Sequence, residues 1–469
     1  HGKLSGVRIM AYTPIDKGGN FMSPVIYTGN GNDNRQITGV GFQPSWSWFK
    51  ERSGTEDHML FDSIRGATKR ILSNSTAAET DSGADRRLLS FNSDGFTVGV
   101  DNGINGSSKT YVGWNWIGAN PPKKTYVVKV VSDGGNKYRF DDFGTNAVTL
   151  ELSEGGTFIF DQSDSSNNGH PLRFSTTSNG THAGGSIYTT GVVVSGTPGQ
   201  AGAKTTITVA ASAPTLYYFC TVHSGMGGQA NTPVTNSFTN LDGSLQSNVS
   251  PNTISRFSIV SWTNSGSSVA TVGHGLGVTP KMIIIKSRNE TAGWLTYHEA
   301  IGNTKGLFLN TTGAQDDNVE LFNDTSPTAT VFTTGVTGLL TGGSNLIAYC
   351  FADVQGFSKM GSYLGNGNVD GTFVYTGFKP SFILVKRTNG SENWTIMDSA
   401  RDPSNVAVNK LHPNTNGGTD AGATIDILSN GFKNKTTNAG ANGNGDSYIY
   451  MAFAENPFTS SAGTPVTAR

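Results

Sequence analysis

"GFQPSWSWFKERSGTEDHMLFDSIR", residues 41–65, returns without a gap as "GFKPSFILVKRTNGSENWTIMDSAR" at 377–401 and more loosely as "GVTPKMIIIKSRNETAGWLTYHEAI" at 277–301. In every copy a lysine (Lys50, Lys286, Lys386) stands six residues after a proline (Pro44, Pro280, Pro380), and Asp62, His298 or Asp398 stands eighteen after it. A fixed frame of this kind marks tandem structural copies. "SWSWF" and "FILVK" are rich in strand formers, and Gly/Asn clusters punctuate them as turns. Upstream, Tyr27 opens "YTGNGN" and Tyr363 opens "YLGNGN", each 17 residues before its proline; downstream each copy closes on an apolar strand at 110–116, 345–351 or 447–453. The frame predicts three β-modules, at 21–118, 256–354 and 355–458, each of ordinary domain size. A two-sheet sandwich is the economical form, because it buries one face of each sheet. The expected fold class is therefore all-β, with tandem sandwich modules flanked by an N-terminal segment, 1–20, and a C-terminal tail, 459–469.

Bulk properties agree with several domains and exclude some partners. A chain of 469 residues exceeds a single core. Lys plus Arg total 33 against 34 for Asp plus Glu, so there is no basic field for nucleic acid or an anionic membrane. No apolar run approaches membrane length, which predicts no membrane insertion. Charged residues make up 14% and glycine alone contributes 61, a mix suited to short strands and many turns. The chain opens on His1 and is read as a processed or partial product. Two cysteines give no disulfide framework. Cys350 occupies a repeat position held elsewhere by Asn115 and Ala452, so it reads as buried and inert.

Between the first two modules lies an unrelated segment, 123–232, entered through "ANPPKK" and followed by a polar stretch, 233–255, that reads as a linker. Its runs "YVVKVV", "TFIFD", "TTITVAA" and "LYYFC" alternate as strands do. "LYYFCTVHSGMGG" (216–228) sets Cys220, His223 and Met226 at C-x-x-H-x-x-M spacing, and His170 lies in "NNGHPLRF" fifty residues earlier. One thiolate and two imidazoles in a plane, with a weak axial thioether, make a type 1 copper site. Cys220 is expected to end one strand, with the following loop turning His223 and Met226 toward the same point and His170 arriving from a neighbouring strand across the sandwich. Aromatics at 217–219 can pack around such a site and exclude water. On these residues, 123–232 resembles a cupredoxin, a Greek-key sandwich of plastocyanin or amicyanin type. The resemblance implies copper held by His170, Cys220, His223 and Met226, and electron transfer at most. The chain departs from that family at Pro171, where cupredoxins commonly carry an Asn that clamps the two ligand loops.

Other constellations read as structure. "DQSDSSNNG" (161–169) offers Asp161, Asp164 and Asn167 to calcium but misses the EF-hand spacing and reads as a turn. The repeated D-S-x-R, Asp62/Arg65 and Asp398/Arg401, reads as a capped turn with a local ion pair, since the second copy has His298 and Ile301 instead. His58, Trp294 and Trp394 share one repeat position, where exposed rings could stack on a glycan; packing against a neighbouring sheet is the competing reading. The sequence has no Walker A, H-E-x-x-H or G-x-S-x-G pattern, and a non-enzymatic role is expected.

The outer modules carry a second resemblance. Their "Y-x-G-N-G-N … G-F-x-P … D-S-x-R … (D/N)-G-F" pattern is similar to repeats in virion structural and tail-fibre-like proteins of marine bacteriophages, cyanophages especially. It implies a virion-surface, extracellular location and a structural role of tail-fibre, tail-associated or capsid-decoration type with host attachment. The implied partners are other virion proteins, further copies in a homo-oligomer, and a host-surface glycan or protein receptor. The alternative is a secreted or cell-surface type 1 copper protein that transfers electrons.

Overall fold

The computed structural model describes residues 13–81, 83, 85–264, 266, 269–335 and 343–456. The tail 459–469, the first twelve residues and the last two of the third module lie outside them. The chain is all-β, as its repeats predict. In each module the proline-led strand is the middle of an inner sheet. Trp46–Glu51 runs between Thr110–Trp116 and Met59–Asp62, Met282–Ser287 between Asn345–Phe351 and Leu295–His298, and Lys379–Arg387 between Ser447–Asn456 and Thr395–Asp398. An outer sheet covers each of them, for example Arg35–Thr38, Gly95–Val98 and Leu88–Asn92 in the first module. All six residues of Trp46–Glu51 are buried, because both faces of the inner sheet are covered. Trp48, Leu60 and Trp114 face one way, and Phe49, Met59 and Phe61 face the outer sheet.

The inner faces of the three modules meet one another. Trp116, Phe351 and Phe453 hold the same position in the three closing strands, and their rings touch pairwise at 6.5, 5.7 and 5.9 Å. Around this axis the contacts cycle. The Tyr349 hydroxyl donates to Asp62 at 2.8 Å, the Trp114 indole to Asp398 at 2.9 Å, and the His298 ring lies 3.3 Å from the Tyr450 carbonyl. A loop of each module rests on the next in the same sense: Glu79 N–H donates to Arg288 O, Gln315 N–H to Thr388 O, and Thr419 N–H to Arg52 O. The acceptors stand at one repeat position, eight after each proline. First, second and third modules thus close a pseudo-threefold ring within a single chain, around one shared apolar core.

This ring accounts for His58, Trp294 and Trp394, whose expected role as glycan contacts is corrected. All three are buried, with relative exposures of 0%, 0% and 1%. The Trp294 indole donates to Leu72 O at 2.8 Å and the Trp394 indole to Phe308 O at 3.0 Å, each in the preceding module. His58 accepts from the Trp48 indole at 3.0 Å. The repeated lysines work at the same seams: Lys286 Nζ donates to Thr76 O and Lys386 Nζ to Thr312 O, while Lys50 Nζ donates to Glu51 O.

The stretch 233–255 is not a linker. Phe238–Asn240 and Ser247–Asn252 are strands that extend the second module's inner sheet beyond Phe257–Thr263. Phe238 and Val249 are buried, and Ser247 donates to Gly273 O at 2.8 Å, so the polar strand satisfies its side chains internally. In the segment 1–20, Ile15 is buried in the ring core, and the turn Gly18–Asn20 is so close to the last strand that a Cβ at Gly18 would lie 2.5 Å from Ala454 O. Among the described residues, no helix is long and apolar enough to cross a membrane.

Candidate metal centre

Residues 123–232 fold as a two-sheet unit whose core runs on into that of the second module, with Phe158 against Phe238 and the Tyr126 hydroxyl donating to Thr239 O. One sheet has the order Asn136–Phe140, Lys123–Ser132, Thr157–Asp161, Lys204–Thr208, Val192–Ser195; the other has Leu150–Glu151, Gly228–Asn231, Leu216–Cys220, Leu172–Ser175. Tyr126, Phe140, Phe158, Phe160, Phe174 and Tyr218 fill the space between them. Cys220 ends its strand, as expected, and pairs with Leu172 on the antiparallel neighbour. His170 precedes that neighbour. It therefore reaches Cys220 from the adjacent strand of the same sheet, not from across the sandwich.

His170, Cys220 and His223 converge. Cys220 Sγ lies 3.9 Å from His170 Nδ1 and 3.8 Å from His223 Nδ1, and the three ligand atoms fall within 4.8 Å of one another. Metal–sulfur and metal–nitrogen bonds of ~2.3 and ~2.0 Å put S and N roughly 3.7 Å apart at a trigonal angle and only about 3.5 Å apart at a tetrahedral one. The two S–N spacings are slightly longer than either value, so the sulfur and both imidazoles stand close enough to share one ion. Met226 is buried in the same apolar cluster as Cys220. Cys220 is buried, His170 half-buried and His223 exposed, so the plane sits at the rim of the sandwich with one imidazole toward solvent. Burial, and next the neighbouring His223, hold the His170 pKa below its ordinary value, favouring the neutral imidazole that a metal requires.

The surrounding residues fix these side chains. The His170 carbonyl accepts from the Tyr138 hydroxyl and from Gln162 Nε2, both at 2.9 Å. Gln162 Oε1 in turn accepts from Leu172 N–H. The loop after Cys220 is held by Asn179, whose amide donates to Ser224 Oγ and accepts from Gly225 N–H, both at 2.8 Å. The backbone also ties the two loops together: Thr221 N–H donates to Pro171 O at 3.2 Å. His182 was not singled out by the sequence. Its Nε2 lies 2.9 Å from Cys220 O, which makes it a brace for the ligand strand. Only its place near the C-x-x-H loop could have signalled it, and no spacing rule covers that. Asp161 and Asp164 accept from Ser163 N–H and Ser166 N–H, so the "DQSDSSNNG" run is built as turns.

Fold and site together define an all-β protein whose three-module ring is interrupted by a sandwich bearing a Cys/His/His cluster. A family model described as a domain of unknown function, DUF7483, matches residues 17–132 and 229–457, and the chain belongs to that family. The match skips 133–228, the stretch that carries all four candidate ligands. No curated protein and no solved structure matches the chain.

Proposed function

We propose that the chain is a structural component of a phage virion exterior, of tail-fibre, tail-associated or capsid-decoration type, and adhesive toward the host surface. The observation that supports this reading is the ring itself. Three repeats interlock through buried tryptophans and main-chain hydrogen bonds into one body, with Gly- and Asn-rich loops outward, which suits a load-bearing surface part. The ring closes within the chain, so any homo-oligomer is built from whole rings. The test is immunogold labelling of intact particles together with binding of the purified protein to host cells. Label on the particle surface and saturable cell binding support the reading; absence of the protein from purified particles sinks it.

A second reading is favoured by the metal centre: a type 1 copper protein. The donors fit the ion, since thiolate and imidazole suit copper, all three lie within 4.8 Å of one another, and the buried Met226 follows His223 on the same loop. Copper there would supply a one-electron couple, while the chain's own residues fix the donors and shield them from water. Copper titration of the purified protein, with Cys220→Ser as control, is expected to give an intense visible band at about one ion per chain. The band should vanish in the variant and bleach reversibly with a reductant. A colourless titration with no ion retained would remove copper from the account and leave the virion reading unaffected.

A further inference from the structure

Two of the three modules plug the same corner between their sheets with an apolar pair. In the first, Met59 stands opposite Leu72; in the second, Leu295 stands opposite Phe308. Met59 and Leu295 are buried, and Leu72 and Phe308 pack against the same clusters. In the third module the equivalent positions hold Thr395 and His412. The Ile396–Leu411 bridge sets them side by side, with Thr395 Oγ1 3.4 Å from His412 Nδ1. Ile104, buried in the first module, is likewise replaced by Ala441, each preceding the Asn (Asn105 or Asn442) that ties the module's hairpin.

Where the other copies are filled, the third therefore has a cavity of about 320 Å³. Glu392, Lys410, His412, Asp420 and Asn438 line it beside Thr395. Asp420 lies 3.2 Å from Lys410 Nζ and 3.3 Å from His412 Nε2. Burial alone would raise its pKa, but hydrogen bonds from His412 and Lys410 carry it below the ordinary value and keep it an acceptor. Two carboxylates that only accept, an ammonium that only donates and an amide that does both converge on one hollow. Each hydroxyl of a polyol both gives and takes a hydrogen bond, so such a lining matches a polyhydroxylated ring. Two carboxylates stand against one ammonium and the His412 ring, so the lining offers no net positive charge to hold an anion. The volume is at the small end of ligand cavities and suits one ring rather than a chain.

We infer that the third module binds a single neutral saccharide residue in this cavity, through the side chains of Glu392, Lys410, Asp420 and Asn438. The inference concerns the pocket alone and is independent of both the metal centre and the place of the chain on a particle. The test is saturation-transfer NMR on the full chain with the methyl glycosides of mannose, galactose, glucose and N-acetylglucosamine, each at about 10 mM, well above a millimolar Kd. At least one is expected to give saturable transfer. The double substitution Thr395→Met with His412→Leu rebuilds the first module's plug. It should weaken that binding at least about tenfold while the melting temperature stays level or rises. Glu392→Gln keeps the shape, removes one acceptor and should weaken binding several-fold, which decides the matter if the plugged variant misfolds. No transfer from any glycoside, undiminished transfer in the plugged variant, or galacturonate binding as well as galactoside would each overturn the inference.

Discussion

Asp62 and Asp398 show how much one side chain settles. Asp62 pairs with Arg65 Nε at 2.5 Å, caps the turn through Arg65 N–H and accepts Tyr349 from the next module, all with zero exposure of either side chain. Asp398 repeats this with Arg401 and Trp114. In the second module burial pushes the His298 pKa down to about 4, so the residue is neutral and needs no counter-ion; the arginine position is accordingly Ile301. Removing one member of a buried pair costs ~3–5 kcal/mol. Asp398→Ala should therefore lower the ring's unfolding free energy by that order, read from denaturant titrations followed by tryptophan fluorescence, and His298→Asp should be comparably harmful because Ile301 holds the arginine position and the nearby Lys281 is already paired with Glu299. The D-S-x-R turn and its ion pair were legible in the sequence. Their burial and their partners were not, because the hydrogen bond from Trp114 to Asp398 spans 284 residues and a surface pair has the same spelling as a buried one. The same limit applied to Trp294 and Trp394, where a packed indole and a sugar platform look alike.

At the scale of elements, the proline-led strands each bury a lysine, and those of the second and third modules reach across a seam. Burial pushes Lys50, Lys286 and Lys386 down to about 8. In the window from there to the ordinary 10.5 the folded state binds fewer protons than the unfolded one, so these groups make stability rise with pH. Groups with raised values oppose them. The buried Cys350 thiol, pushed up from 9.0, helps fully below that pH, and Tyr297 and Tyr448, pushed up by burial to about 12, help fully below 10. Their contributions are lost as pH climbs toward the folded values. Melting temperature should therefore rise from pH 8 to about 9 and then level and fall, and Lys386→Met should flatten the rise. Scanning calorimetry across that range is the check, and a monotonic fall from pH 8 would refute it. Inner strands were readable because both of their faces are apolar. Ser247–Asn252 was not, since its serines and asparagines bury through hydrogen bonds, with Val249 as its fully buried apolar residue. At the Cys/His cluster, His170, Cys220 and His223 were legible from residue type and spacing, whereas His182 acts through a backbone carbonyl that leaves no pattern.

For the whole molecule, the ring and the inserted sandwich are separable in sequence but touch at the point of insertion. The chain enters through one sheet of the sandwich and leaves through the other: Thr157 N–H donates to Pro122 O at one end, and Ser153 N–H to Ser237 O at the other. Replacing 123–232 by a short Gly/Ser link should leave the ring folded, with its near-ultraviolet tryptophan signal retained. Conversely, the excised third module, 355–458, would expose Phe382, Trp394 and Phe453 to water and should self-associate or precipitate when examined by size-exclusion chromatography with light scattering. A soluble, monodisperse single module would contradict the shared core. A ring drawn from one chain is threefold only in outline, for the sandwich and the polar cavity each occur once per turn. Seated on a mount with true threefold symmetry, it has three azimuths that fit the mount equally well and point the inserted sandwich in three different directions. A surface tiled with such rings would be regular in position and random in heading.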